Sequence, residues 1–230
     1  MPLFGSRHQD KNSRQLITAI DPRSAAAEAY RTLRTNLEFS GLDAPLRTVI
    51  VTSASANDGK STVVSNLAVT MAEAGKSVLA VDCDFRAPSL HELIGGPQEP
   101  GFTNALLGTA LDECIHTTAI AGLRLMPTGP LPPNPAEVLG SVRLQSIWDD
   151  LKQQADIVLV DTPPIGLVSD AAQLAPRCDG VLLVLRSGHT RREASQNAKR
   201  QLEQVKARIL GVVLNDVRPS TILERYTARD

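Results

Sequence analysis

Ser53-Ala54-Ser55-Ala56-Asn57-Asp58-Gly59-Lys60-Ser61-Thr62 is the stretch on which the fold turns. It follows the apolar run Thr48-Val49-Ile50-Val51 and opens into Val63 through Ala74, which stops at Gly75. Strand, Gly-Lys-Ser loop and helix, in that order, make the setting of a phosphate-binding P-loop. Backbone N–H groups of the loop and of the helix start can wrap a polyphosphate, and the helix dipole favours negative charge there. In this reading Ala56, Asn57, Asp58, Gly59, Lys60, Ser61 and Thr62 line the nucleotide. Lys60 reaches the β and γ phosphates, and the Ser61 hydroxyl ligates Mg²⁺. Ala54 stands where the pattern usually begins with Gly.

Two further apolar runs end in acid. Val78-Leu79-Ala80-Val81 leads into Asp82-Cys83-Asp84-Phe85-Arg86, and Ile157-Val158-Leu159-Val160 into Asp161-Thr162-Pro163-Pro164. Short continuous apolar runs suit strands buried on both faces of a parallel sheet. Functional groups of open α/β sheets gather at the carboxyl ends of the strands. Asp82, Asp84 and Asp161 are therefore expected on the same edge as Lys60. Any one of them alone could simply cap a following helix.

The bulk properties narrow the classes. At 230 residues and 42% apolar content the chain suits one well-buried α/β domain rather than two. A net charge of −1 gives no reason to expect nucleic acid as a partner. No run reaches transmembrane length, and the polar first 14 residues hold no signal-peptide core. Cys83, Cys114 and Cys178 are scattered without metal spacing, which fits a reducing cytoplasm.

Along the chain, residues 1–22 read as a flexible leader. A helix is predicted from about Ser24 to Ser40, with Tyr30, Leu33 and Leu37 as its apolar stripe. Glu28, Arg31, Arg34 and Glu38 share an adjoining arc that, on spacing alone, could be a solvated face. Leu123 to Pro127 alternates like a short strand. The Gly- and Pro-dense stretch 129–135 is predicted to be an ordered turn or a lid. Helices are predicted from Ser141 to Gln153, from Asp170 and from Arg191 to Lys206. Gly180–Leu185 and Ile209–Asn215 read as buried strands, which closes a P-loop domain over 23–215. Residues 216–230 read as a tail carrying Tyr226. The alternation predicts a doubly wound, mainly parallel sheet flanked by helices.

These motifs together resemble the bacterial tyrosine kinases of capsular and exopolysaccharide assembly, within the MinD/ParA-like P-loop superfamily. The resemblance covers roughly residues 20–218. Asp82-x-Asp84-x-Arg86 is similar to the family's Walker A′ motif, and Val158 to Pro164 to its Walker B. Glu28-x-x-Arg31-x-x-Arg34 matches its oligomerisation motif, so that this face is expected to join subunits in a ring. The resemblance implies ATP and Mg²⁺, with Ser61 on the metal and Asp82 and Asp161 orienting its water ligands. It also implies Asp84 as acceptor of the tyrosine hydroxyl proton and Arg86 beside phosphate or substrate. Asn215 would contact adenine, and Tyr226 would accept the phosphoryl group. A membrane-bound activator of the chain-length-control type is the expected partner, recruiting a cytoplasmic kinase to the inner face of the membrane.

Two departures stand out. The positions before Gly-Lys-Ser are Ala56-Asn57-Asp58 rather than the usual Pro-Gly-Glu, although Asn tolerates positive φ better than most residues. The tail holds Tyr226 alone instead of a tyrosine cluster. A ParA- or MinD-like ATPase switch is the main rival, and Ser55 stands where that family carries a signature lysine. An iron–sulfur carrier ATPase is disfavoured by the lack of Cys-x-x-Cys. A catalytically weak ATP-binding scaffold is the fourth reading.

Overall fold

The computed structural model describes residues 16–141 and 143–217. In chain order its regular elements begin with α1 (Ile17–Ile20), α2 (Ala25–Ser40), β1 (Thr48–Ser53), α3 (Lys60–Glu73) and β2 (Val78–Asp82). Next come α4 (Leu90–Ile94), α5 (Phe102–Leu107), β3 (His116–Thr117), β4 (Leu123–Met126), α6 (Pro135–Leu139) and α7 (Arg143–Gln154). β5 (Ile157–Asp161), α8 (Asp170–Leu174), β6 (Gly180–Arg186), α9 (Arg192–Gln204) and β7 (Ile209–Asn215) complete the set.

The strands form one sheet in the order β3-β4-β2-β5-β1-β6-β7, parallel throughout except for the β3–β4 pair. Successive side chains of a strand point to opposite faces, and the central strands are apolar on both. Val49 and Val51 of β1 pack with Leu37 of α2, Leu67 of α3 and Leu93 of α4. Ile50, between them, packs with Phe102 of α5, Trp148 of α7, Leu174 of α8 and Leu202 of α9. Helices thus cover both faces of the central strands, as the doubly wound reading predicts. β7, however, is a half-exposed edge strand, with Val212 and Leu214 turned to solvent, and not the buried strand expected from its apolar run.

α2 starts where its sequence says it should. Ser24 is its N-cap, with the hydroxyl oxygen accepting from the Ala27 N–H at 3.2 Å. The predicted leader needs correction at its inner end. Residues 17–20 form a helical turn against α3, where the Thr18 N–H and hydroxyl both donate to Asn66 Oδ1 at 3.1 and 2.9 Å. Thr18 is buried there, and this polar anchor acts beside Leu16, which packs against the core. The 129–135 stretch, expected to be an ordered turn or a lid, is tied down at its start, and Pro135 at its end opens α6. The Gly129 N–H donates to Gln98 O, and the preceding Thr128 carbonyl accepts from the N–H and hydroxyl of Thr103.

Candidate active site

β1 ends at Ser53, and the loop after it is shaped residue by residue. Asn57 sits at φ 62° and Gly59 at φ 92°, the left-handed region that Asn tolerates and Gly occupies freely. A Cβ on Gly59 would collide with the Asn215 amide. Asp58, fully buried, works through its side chain as well as its backbone. Its Oδ2 accepts from the Ser55 N–H at 2.8 Å and its Oδ1 from the Thr190 hydroxyl at 2.7 Å. Its carbonyl accepts from Asn215 Nδ2 at 3.0 Å. The loop is thereby tied to the segment after β6 and to the last residue of β7. α3 then opens at Lys60 with its first N–H groups uncapped by any side chain, which leaves donors for an anion.

The acids arrive on the same edge. Asp82 and Asp161 are register partners at the ends of the paired strands β2 and β5. Asp84 reaches Lys60, with Nζ 2.8 Å from Oδ2. Burial disfavours the Lys60 charge, but Asp161, Asp84 and Asp82 outweigh it and raise its pKa. Ser61 Oγ lies 3.5 Å from Lys60 Nζ. Lys60, Ser61, Asp82, Asp84 and Asp161 therefore converge as the sequence predicts.

The two strand-end acids are not alike. Asp82 accepts three backbone N–H bonds, from Asp84 on Oδ1 and from Ser89 and Leu90 on Oδ2, each at 3.0 Å. Burial raises its pKa while those bonds oppose the rise. Among the described residues neither oxygen of Asp161 has a hydrogen-bond partner, although the residue is fully buried. Burial pushes it up to about 7, against the pull of Lys60 and the milder one of the nearby Ser61 hydroxyl. A buried carboxylate without partners beside Ser61 fits a divalent cation. Among the described residues no three His, Cys, Asp or Glu side chains are grouped to chelate a metal. Such an ion would be completed by hydroxyl, water and phosphate, the habit of Mg²⁺.

Arg86 turns away from the P-loop and forks onto Asp170, Nε to Oδ2 and Nη2 to Oδ1, both at 3.3 Å. Asp170 was not among the sequence candidates, and only its place at the start of a predicted helix marked it. Thr190 likewise carried no signal. On α2, Arg31 pairs with Glu28 at 3.3 Å and donates to the Pro22 carbonyl. Arg34 lies 4.0 Å from Glu38 and donates to the Thr70 carbonyl at 3.0 Å. Both arginines thus have partners within the chain. Tyr226 lies outside the described residues. Among the described residues no helix is long and apolar enough to cross a membrane.

A sequence profile described as the CobQ/CobB/MinD/ParA nucleotide binding domain matches residues 49–228. The tyrosine-protein kinase YwqD of Bacillus subtilis is 38% identical over 212 residues, which cover 92% of this chain and 88% of that one. The chain belongs to the bacterial tyrosine kinases. The putative tyrosine-protein kinase EpsB of Ralstonia solanacearum, 36% identical over 228 residues, is matched over 99% of this chain but 30% of its own length. The structure of the chimerical protein CapA2B2 superposes with a TM-score of 0.86 at 33% identity, covering 90% of this chain and 91% of that one. The MinD of Pyrococcus horikoshii in complex with Mg-ADP superposes at 0.64 and 26% identity, over 76% of this chain and 72% of that one. Membership of the family thus accords with the P-loop, the strand-end acids and the doubly wound sheet described above.

Proposed function

We propose that this chain is an ATP-dependent protein-tyrosine autokinase acting in capsular or extracellular polysaccharide synthesis and export. One observation carries the chemistry: Asp84 lies 2.8 Å from Lys60, the side chain that a P-loop directs at the transferred phosphoryl group. A carboxylate there can receive the proton of an incoming hydroxyl. Lys60 and the loop amides hold the triphosphate. The tyrosine oxygen attacks the γ-phosphorus, the bond to the β–γ bridging oxygen breaks, and Asp84 takes the phenolic proton. Ser61 and, through water, Asp161 and Asp82 would hold Mg²⁺, which supplies charge neutralisation on the phosphates.

The base has a groove to enter. About 550 Å³ is lined by Tyr30, Leu33, Thr62, Val213 and Asn215. With Nδ2 of Asn215 committed to the Asp58 carbonyl, its Oδ1 is left to accept from the 6-amino group of adenine. Tyr30 is a poor phosphate acceptor, since burial raises its hydroxyl to about 12. Tyr226 is the remaining tyrosine of the two and the proposed acceptor, reached in a neighbouring subunit.

Glu28, Arg31 and Arg34 would contribute to a closed ring by exchanging their internal partners for a neighbour's. That contact is salt-sensitive. Light scattering at low salt should give a smaller mass for Arg31→Ala/Arg34→Ala than for the wild type, and equal masses would remove the face from the assembly. A membrane-bound activator of the chain-length-control type would recruit the kinase from the cytoplasm to the inner membrane face. Intact-mass analysis after incubation with Mg-ATP and an activator peptide tests the whole reading. One phosphate on Tyr226, absent from Tyr226→Phe and Lys60→Met, is expected. ATP hydrolysis without tyrosine phosphate would favour the ParA- or MinD-like switch, for which the MinD likeness is the supporting observation.

A further inference from the structure

We propose that Asp170 is a positioning residue for phosphoryl transfer, acting through Arg86 on the turn that presents Asp84. The inference rests on the kinase reading, because its readout is transfer to tyrosine.

The turn after β2 alternates sharply. Phe85 drops into the core against Phe102, with ring centroids 5.9 Å apart, and so commits the next side chain to the other direction. That next residue is Arg86, whose side chain keeps 45% of its surface exposed. Asp170, at the start of α8, is 0% exposed. A carboxylate so buried is stable only when its charge is paired, and Arg86 supplies a two-pronged partner. The pair clips the segment after β2 to the segment after β5.

The consequence reaches the reacting group. Asp84 Oδ1 accepts from the backbone N–H of Arg86 at 3.2 Å and of Ala87 at 3.0 Å. Those bonds orient the carboxylate so that Oδ2 meets Lys60. Anchoring the Arg86 side chain therefore fixes the backbone on which Asp84 depends. A planar guanidinium fork fixes orientation, which a lysine ammonium does not. No bond runs from the Arg86 or Asp170 side chain to the P-loop backbone, which is braced instead by Asn215 and, through Asp58, by Thr190. Nucleotide binding and transfer are thus separable by mutation at this pair.

The test compares wild type, Asp170→Asn, Arg86→Lys, Arg86→Ala and the double variant Arg86→Ala/Asp170→Asn. Each is assayed for transfer to a Glu-Tyr copolymer, for Mg-ADP affinity by calorimetry and for melting temperature. Asp170→Asn and Arg86→Lys should each lower kcat for the copolymer by about 100-fold, the scale of a small misplacement of a reacting group. The Mg-ADP affinity and the copolymer KM should stay near wild type, and Asp170→Asn should add no loss to Arg86→Ala. Arg86→Lys keeps the charge opposite Asp170 and so reports on positioning even if Asp170→Asn folds poorly. Wild-type kcat in both variants overturns the proposal. So does a loss of kcat that tracks lost Mg-ADP binding and lost stability, or losses that multiply in the double variant. A wild type that hydrolyses ATP but never phosphorylates tyrosine sinks the kinase reading instead. Hydrolysis rates then decide this proposal by the same comparison of variants.

Discussion

Asp82 and Asp161 end neighbouring strands, face each other in register and close similar apolar runs, yet the fold treats them oppositely. Asp82 is saturated by three backbone N–H donors from the turn after its own strand. Asp161 is equally buried, and among the described residues neither of its oxygens has a hydrogen-bond partner. The difference lies in the path of the chain beyond each acid. Cys83 to Leu90 doubles back and offers its amides to Asp82. Thr162 to Ile165 instead turns toward β1, where the Ile165 N–H donates to Ser53 O at 3.0 Å and Thr52 Oγ1 donates to Pro163 O at 2.9 Å. One acid has become part of the scaffold and the other is held ready for something from outside.

The largest effect should come from the ready acid. Asp161→Asn is expected to lower Mg²⁺-dependent transfer by about 100-fold, the usual cost of removing one preorganised electrostatic group. Its effect on the metal-free fold runs the other way. Burial holds the Asp161 carboxyl at about 7, above its ordinary range near 4. Between those values the folded chain keeps a proton that the unfolded chain has lost, so this group's contribution to stability falls as pH rises and levels off above 7. Denaturation in EDTA at pH 5 and pH 8 should show wild type losing stability relative to Asp161→Asn. Parallel curves would mean that Asp161 is not an uncompensated buried charge.

Asp82→Asn sharpens the contrast. A carboxamide has one acceptor oxygen in place of two, so at least one of the backbone N–H groups of Asp84, Ser89 and Leu90 loses its partner. The expected cost is about 1–3 kcal/mol of stability, with Mg-ADP affinity little changed. Native stability in Asp82→Asn would make the two acids equivalent and break the comparison.

The smallest effect is expected at a support of the P-loop. Thr190→Val removes one hydrogen bond to Asp58, worth about 1 kcal/mol, which should weaken Mg-ADP binding about fivefold. Calorimetry showing unaltered affinity would mean that Asp58 needs only its Ser55 contact.

How much was readable depends on how local each feature is. The strand–loop–helix around Lys60 is contiguous, and the acids sit at the ends of runs whose apolarity announces buried strands. Even the positive φ at Asn57 was foreseeable from residue type. Arg86 and Asp170 are 84 positions apart and Asp58 and Thr190 are 132 apart, so neither pairing leaves a mark in local spacing. The docking of residues 17–20 includes a bond to an asparagine 48 positions away, which no local period announces. The unlike fates of Asp82 and Asp161 were hidden for a related reason, because they depend on where turns go after the motifs end.

Asn215 closes β7 at the rim of the sheet, and its amide braces the carbonyl of Asp58 beside the phosphate cradle. The brace makes that strand end a lever. A displacement of Asn215 by a docked neighbour, a bulky fusion or a pulling force would reach the loop beside the phosphates through that one hydrogen bond.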